Sequence, residues 1–227
     1  HTARFVCTTD IDHNQIASFY TGAMSEARNI ELKPVADRVG GLDLVLIAAN
    51  DPEAMLRHTD ECRARGIPFA ADPSQQLARM DGEEIRRLVD GAAYLFSNEY
   101  EKALIETKTG WSAEEILERV GTRVTTLGPA GVRIERAGGE PPIVVGCPEE
   151  ERKADPTGVG DAFRAGFLAG ICWDLGLERS AQLGCMLATL VIETVGTQEY
   201  ELRRGHFYER FVKAYGEEAG AQIRERL

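Results

Sequence analysis

Asp155-Pro-Thr-Gly-Val-Gly-Asp161 runs without a break into Ala162-Phe-Arg-Ala-Gly-Phe-Leu-Ala-Gly170. Two glycines let a backbone approach an oxyanion closely. A helix that begins there turns its free N–H groups and the positive end of its dipole toward the same point. Asp161, in the first turn, is placed to take a proton from a hydroxyl held beside that anion hole. Positioning, charge stabilisation and one base are the parts of phosphoryl transfer. A bare Gly-x-Gly-Asp turn reads as an ordinary helix cap. The preceding Asp155-Pro-Thr157 and the small, apolar helix behind it favour the anion site.

Upstream of this turn the chain alternates strand and helix. Leu42–Ala49 is a nearly continuous apolar run, the mark of a strand buried on both faces. Pro52–Arg65 follows as an amphipathic helix, with Asp51 as its N-cap and Gly66 as its stop. Ile67–Ala71, Ala92–Ser97 and Arg123–Leu127 read as further strands. Gly82–Asp90, Glu99–Glu106 and Ala113–Val120 read as the helices between them. The alternation predicts the α/β class, with right-handed crossovers and a mostly parallel sheet covered by helices on both faces. Two hairpins break the rhythm: Arg4–Thr9 with Gln15–Tyr20 around Asp10–Asn14, and Val132–Glu135 with Ile143–Val145. The last third is predicted helical, over about Gly158–Leu175, Ser180–Val195 and Phe207–Arg224.

Composition removes several function classes. The 227 residues carry 26 Lys and Arg against 37 Asp and Glu, a net charge of −11. Sequence-independent binding of a nucleic acid polymer needs the opposite sign. No uncharged apolar run approaches the roughly 18 residues that span a bilayer, so no membrane partner is expected. The start HTARFVCTTD has no apolar stretch of the kind that marks a secretory signal. Five scattered cysteines without a CxxC pair read as reduced thiols of a cytoplasmic protein. GxxxxGK[ST], HExxH and GxSxG are absent, and Gly158-Val-Gly160 lacks the third glycine of a dinucleotide fingerprint. His13 and His58 sit in charged surroundings unsuited to a metal site, and Glu149–Glu151 reads as a solvated turn.

The Asp155–Gly170 stretch resembles the second signature of the ribokinase-like (PfkB) carbohydrate and nucleoside kinases, whose usual form is D-T-x-G-A-G-D. Two more motifs of that family follow its order. Asn98-Glu-Tyr-Glu101 matches N-x-x-E, and Thr126-Leu-Gly-Pro-Ala-Gly131 matches T-x-G-x-x-G. Each stands at the carboxyl end of a predicted strand or the mouth of a helix, where open α/β sheets bind ligands. The resemblance implies a ribokinase-like three-layer α/β/α fold, with residues 1–227 as one kinase domain and 1–22 as a lid-type β-hairpin. It implies ATP and Mg2+ as reactants and Asp161 as the base. The backbone amides of Gly158, Val159 and Gly160 become the anion hole, and Asn98 and Glu101 organise magnesium and its water. Thr126, Gly128 and Gly131 lie against the nucleotide, and Asp155 and Thr157 beside a monovalent cation such as K+. Arg164, one turn beyond Asp161, reads either as a guanidinium that holds phosphate or as a solvated face residue.

TTDIDHNQIASFYTGAMSEA, ANDPEAM, ADPSQQLARM and the GTQE near the end are similar to the adenosine kinases of actinobacteria. This closer similarity implies transfer of the γ-phosphoryl of ATP to the 5′-hydroxyl of adenosine, giving AMP in purine salvage. Phe5 and Phe19 would then stack on the purine, and Gln75 and Gln76 would hydrogen-bond purine or ribose. Two rings on a hairpin suit a base sandwich; the alternative is that they pack the hairpin to a neighbouring chain. The glutamines also fit an ordinary loop. The competing readings are a sugar kinase acting on ribose or fructose, and a nucleotide-binding fragment without turnover. Family members are longer, and their N-terminal Gly-rich signature has no counterpart here. The sequence therefore reads as the C-terminal two-thirds of such an enzyme, with a lid hairpin available for homodimer contact.

Overall fold

The computed structural model describes residues 1–11 and 15–227, which form two compact units. His1–Thr125 and Glu135–Pro141 make the first; Thr126–Ile134 and Pro142–Leu227 make the second.

In the first unit β1 (Arg4–Thr9) pairs antiparallel with β2 (Gln15–Tyr20), and Phe5 stands opposite Phe19. Residues 12–14 of the connecting turn, His13 among them, lie outside the described residues. A 3-10 segment, Gly22–Asn29, and helix α1 (Leu32–Val39) come next, neither of them signalled by the apolar pattern. Pro34 lies in the first turn of α1, where a missing N–H is tolerated. The alternation proper then begins: β3 (Val45–Ile47), α2 (Pro52–Arg65), β4 (Phe69–Ala71), α3 (Gly82–Val89), β5 (Tyr94–Asn98), α4 (Glu99–Thr109), α5 (Ala113–Arg119) and β6 (Thr122–Thr126). β3 pairs parallel with β4, and β4 with β5.

Met55, Phe69, Leu77, Ile85, Leu88, Leu95, Ile105 and Ile116 are fully or almost fully buried in the core between these layers. Helix starts are fixed locally. Asp51 accepts the Ala54 amide, and Asp81/Glu84, Asn98/Glu101 and Ser112/Glu115 form reciprocal capping boxes. The strands are shorter than the apolar runs that predict them, Leu42–Ala49 yielding only Val45–Ile47. Such a run marks burial on both faces, which extends past the residues that share ladder hydrogen bonds.

The second unit opens with β7 (Val132–Glu135), antiparallel to β8 (Ile143–Val145), as the second hairpin predicts. Four helices follow: α6 (Val159–Cys172), α7 (Gly176–Ile192), α8 (Arg204–Tyr215) and α9 (Glu217–Ile223). The last two replace the single helix expected over Phe207–Arg224, because the chain breaks at Gly216. α6 stops at Cys172, short of Leu175, and Asp174 takes a left-handed backbone with φ 59°.

α6 and α7 pack backbone to backbone. A Cβ built on Gly166 would lie 2.7 Å from the Leu183 carbonyl oxygen, and one on Gly184 2.6 Å from that of Phe163. Leu183, Met186, Leu190, Phe207, Phe211 and Ile223 form the core beneath α8 and α9. Among the described residues, no helix is long and apolar enough to cross a membrane.

Candidate active site

The start of α6 is built around Gly158, which takes φ 81° as the N-cap residue. Left-handed backbone is open to glycine at little cost. Space is tight as well, since a Cβ here would lie 3.0 Å from both Cβ and Cγ2 of Thr197, which would have to give by a few tenths of an ångström. Among the described residues no side chain caps this helix, and its Val159 amide makes only a long 3.4 Å contact with the Pro156 carbonyl. Asp161 is exposed in the first turn, beside those amides. The positive end of a 14-residue helix, N–H groups without a side-chain cap and a carboxylate thus meet in one turn.

Asp155 braces the loop that leads in. Its carboxylate accepts the amide of Thr157 at 2.9 Å and that of Gly196 at 3.1 Å, while the Ala154 and Asp155 amides donate to the Ile192 carbonyl. The Gly196-Thr197 corner is therefore part of the site's frame. GTQE was legible in the sequence as a similar stretch, but nothing in its spacing revealed this contact. Arg164 corrects one of its two readings: it is buried, not a solvated face residue. Its guanidinium folds back one turn, so that a Cβ on Gly160 would stand 2.7 Å from Nη1. This places a fixed positive charge directly behind the turn.

Thr126 ends β6, and the loop after it makes a tight 3-10 turn, Gly128–Ala130. The Leu127 amide donates to the Gly131 carbonyl at 2.8 Å and closes the loop. Gly131, at φ 95°, is pressed against β8: a Cβ there would lie 2.0 Å from the Val145 carbonyl oxygen. Gly128 is exposed at the tip.

In the first unit Asn98 is both the last residue of β5 and the N-cap of α4. Its side chain accepts the Glu101 amide at 2.8 Å, and Glu101 Oε2 accepts the Asn98 amide at 2.8 Å. Each side chain is oriented by the other. Phe5 and Phe19 share one face of the hairpin, 52% and 45% exposed. The glutamines diverge. Gln75 is exposed, with its Oε1 accepting from Ser74, whereas Gln76 is buried and donates to the Asn50 carbonyl at 2.7 Å.

Asn50 precedes an anchor that the motifs do not reveal. Asp51 caps α2 and also takes a two-pronged contact from Arg28, at 2.6 and 3.1 Å. Arg28 belongs to the 3-10 segment just after the hairpin, so β2 and the β3 loop are tied together by charge. No group of three or more His, Cys, Asp or Glu suited to a metal ion occurs among the described residues.

The profile of the pfkB family carbohydrate kinases matches residues 1–203. The chain belongs to that family. This pfkB-family chain is 30% identical over 190 residues to a nucleoside kinase of Methanocaldococcus jannaschii, covering 84% of the chain but 60% of that protein. The crystallised nucleoside kinase of Burkholderia thailandensis in complex with inosine superposes with a TM-score of 0.89 at 34% identity, over 96% of this chain and 71% of that one. That kinase is also known in complex with ADP-inosine. The ribokinase of Thermotoga maritima, 21% identical, shares the fold with a TM-score of 0.71. The fold of the pfkB-family chain is thus ribokinase-like, and its relatives include kinases that act on nucleosides.

Proposed function

We propose that this chain belongs to an ATP-dependent kinase that phosphorylates the 5′-hydroxyl of a purine nucleoside, with adenosine as the acceptor and AMP as the product. The observation that carries the reading is the uncapped start of α6, with Asp161 exposed in its first turn. In the reaction, Asp161 accepts the proton of the 5′-hydroxyl as that oxygen attacks the γ-phosphorus, and ADP leaves. The amides of Gly158, Val159 and Gly160 face the charge that develops on the transferring group, with the Arg164 guanidinium behind them. Thr126, Gly128 and Gly131 lie along the nucleotide.

Magnesium is chelated mainly by phosphate and water in such sites, so one carboxylate and one amide suit it. Glu101 and Asn98 would hold its water, and it would neutralise phosphate charge. Asp155 and Thr157 would neighbour a K+ ion, with the braced Asp155 carboxylate as its fixed counter-charge. Phe5 and Phe19, directly paired and exposed, support a purine between or beneath the rings, a surface a free sugar would leave unused. Gln75 is free to read the base edge, while the buried Gln76 supports the loop. The opposite hairpin face exposes Val6, Ile16 and Tyr20, which supports pairing of hairpins in a homodimer. A cytoplasmic setting and a role in purine salvage belong to this proposal.

The test is ADP release with ATP and Mg2+ and, separately, adenosine, inosine, ribose or fructose, on the natural protein and its Asp161→Asn variant. Adenosine-dependent release that falls by about 10²–10⁴-fold in the variant is expected. Release with a sugar alone would overturn the nucleoside reading, and an undiminished variant would remove Asp161 as base. ATP binding without release for any acceptor would favour the binding-module reading.

A further inference from the structure

Residues 146–158 run from β8 into the first turn of α6 as loop and turn, and this stretch delivers Asp155 and Gly158 to the site. Irregular backbone has many paths open to it, and fixing one costs conformational entropy at every residue. Partners along the stretch must therefore select the path. Near its start the Tyr215 hydroxyl donates to the Gly146 carbonyl at 2.8 Å. Near its end the Ala154 and Asp155 amides donate to the Ile192 carbonyl at 2.8 and 3.2 Å. Between these points the path is set by two charged side chains.

Glu193, the C-cap residue of α7, and Arg210, in the middle of α8, are each 11% exposed at the side chain. Arg210 Nη1 donates to Glu193 Oε2 and Nη2 to Glu193 Oε1, both at 2.7 Å, a two-pronged pair. Each partner also grips the stretch. Glu193 Oε1 accepts the Glu151 amide at 2.7 Å, and Arg210 Nη2 donates to the Glu149 carbonyl at 3.1 Å. Arg152 Nε adds a bond to the Glu193 backbone carbonyl at 2.6 Å. Replacing a mostly buried ion pair with apolar side chains of similar volume is often neutral or stabilising, so stability alone does not account for this one. Apolar side chains could neither accept the Glu151 amide nor donate to the Glu149 carbonyl. What the pair supplies beyond apolar contact is a fixed path for the backbone.

That path leads straight to the site. The corner that follows Glu193 supplies the Gly196 amide, which donates to Asp155 Oδ2 at 3.1 Å, and Thr197, which lies against Gly158. We propose that Glu193 and Arg210 are positioning residues for phosphoryl transfer, their ion pair setting the course of residues 149–155 and through it the seat of Asp155 and the start of α6. They act through the backbone, not on the reacting atoms. The course of the stretch stands on the geometry alone; its effect on turnover rests on the kinase reading above. Because that effect falls on the transferring group, it belongs to kcat and leaves the KM for nucleoside, whose proposed contacts Phe5, Phe19 and Gln75 are in the first unit.

The test compares the natural protein with Arg210→Met, Arg210→Lys, Glu193→Gln, the double variant Arg210→Met/Glu193→Gln, and Ile223→Val. Ile223 is fully buried in the core beneath α8 and α9, so Ile223→Val lowers the melting temperature with the pair intact. ADP release is followed against ATP and adenosine, and amide hydrogen exchange over residues 149–158. Arg210→Met should speed exchange of the Glu151, Ala154 and Asp155 amides about tenfold or more. It should lower kcat about 10- to 100-fold, with the KM for nucleoside within about twofold. Arg210→Lys keeps the charge without the fork and should recover part of both losses. The double variant should lose less than the product of the single losses, since both break one pair. Ile223→Val should alter neither exchange over 149–158 nor kcat. A kcat that follows melting temperature across every variant, Ile223→Val included, would overturn the proposal. Unchanged exchange in Arg210→Met would do the same, as would faster exchange at undiminished kcat. A natural protein that releases ADP with no acceptor would instead sink the kinase reading, and exchange alone would then decide whether the pair holds the stretch.

Discussion

Gly158→Ala isolates what the turn before α6 contributes. At φ 81° an alanine occupies left-handed backbone, which costs about 1–2 kcal/mol. Its Cβ would also stand 3.0 Å from Thr197 Cβ and Cγ2, a few tenths too close, so the first turn of α6 or the Gly196-Thr197 corner must shift. The stability loss should lower the urea midpoint by about 0.5–1 M, given a slope near 2 kcal/mol/M. Turnover should fall further than stability, by about 10²–10³-fold, because displaced amides no longer face the transferring group. Urea unfolding and ADP release on the same preparations measure both. In a Thr197→Gly background the steric part is relieved and the backbone cost persists. An unchanged midpoint and turnover in Gly158→Ala would refute the described turn. Complete rescue by Thr197→Gly would show that backbone strain is not the cause.

Asn98→Ala should cost about 1 kcal/mol through loss of the α4 cap, whereas Asn98→Asp keeps the cap and the melting temperature. Both should slow ADP release, so melting curves and magnesium titrations together separate the structural from the chemical role. Phe5→Ala and Phe19→Ala should leave the melting temperature nearly unmoved, since both rings are exposed. Each should raise the KM for nucleoside about 2- to 10-fold, matching about 0.5–1.5 kcal/mol per stacked ring, with kcat less affected. Glu193 responds to acid. Burial pushes its carboxyl up, but the two-pronged contact from Arg210 at 2.7 Å and the Glu151 amide outweigh this and hold it below the usual carboxylate range. A depressed carboxylate contributes stability that is complete above the unfolded value, about 4.3, and is lost as pH falls through the folded one. Urea midpoints followed downward from neutral pH should therefore drop for the native chain and drop less for Glu193→Gln.

What could be read from residues alone was what depends on local periodicity and caps. Both hairpins fall where period-two alternation puts them, and α2 runs from the Asp51 cap to Gly66 as its end signals require. Asn98 and Thr126 do end strands, Asn98 because a polar residue after the buried Leu95-Phe96 pair marks the exit from the sheet. Other features were hidden because they are relations between distant residues. Arg28 and Asp51 are 23 positions apart, and neither belongs to a motif. Gly196 meets Asp155 across 41 positions. Helical spacing put Arg164 near Asp161 but could not say that its guanidinium turns inward onto Gly160. Gln75 and Gln76 are chemically identical in the sequence and are divided only by burial.

The glycine contact between α6 and α7 works as a pivot. Gly166 lies eight residues from Gly158, about 12 Å along the helix axis. A side chain forced into that contact, at Gly166 or Gly184, would tilt α6 about a fulcrum well away from any reacting atom. A tilt of only about 5° would swing the helix start by about 1 Å, a displacement that can cost about 100-fold in rate. Turnover in this fold is therefore exposed to substitutions deep in a helix pair, at positions that touch neither nucleotide nor acceptor, and the small residues there act as alignment parts.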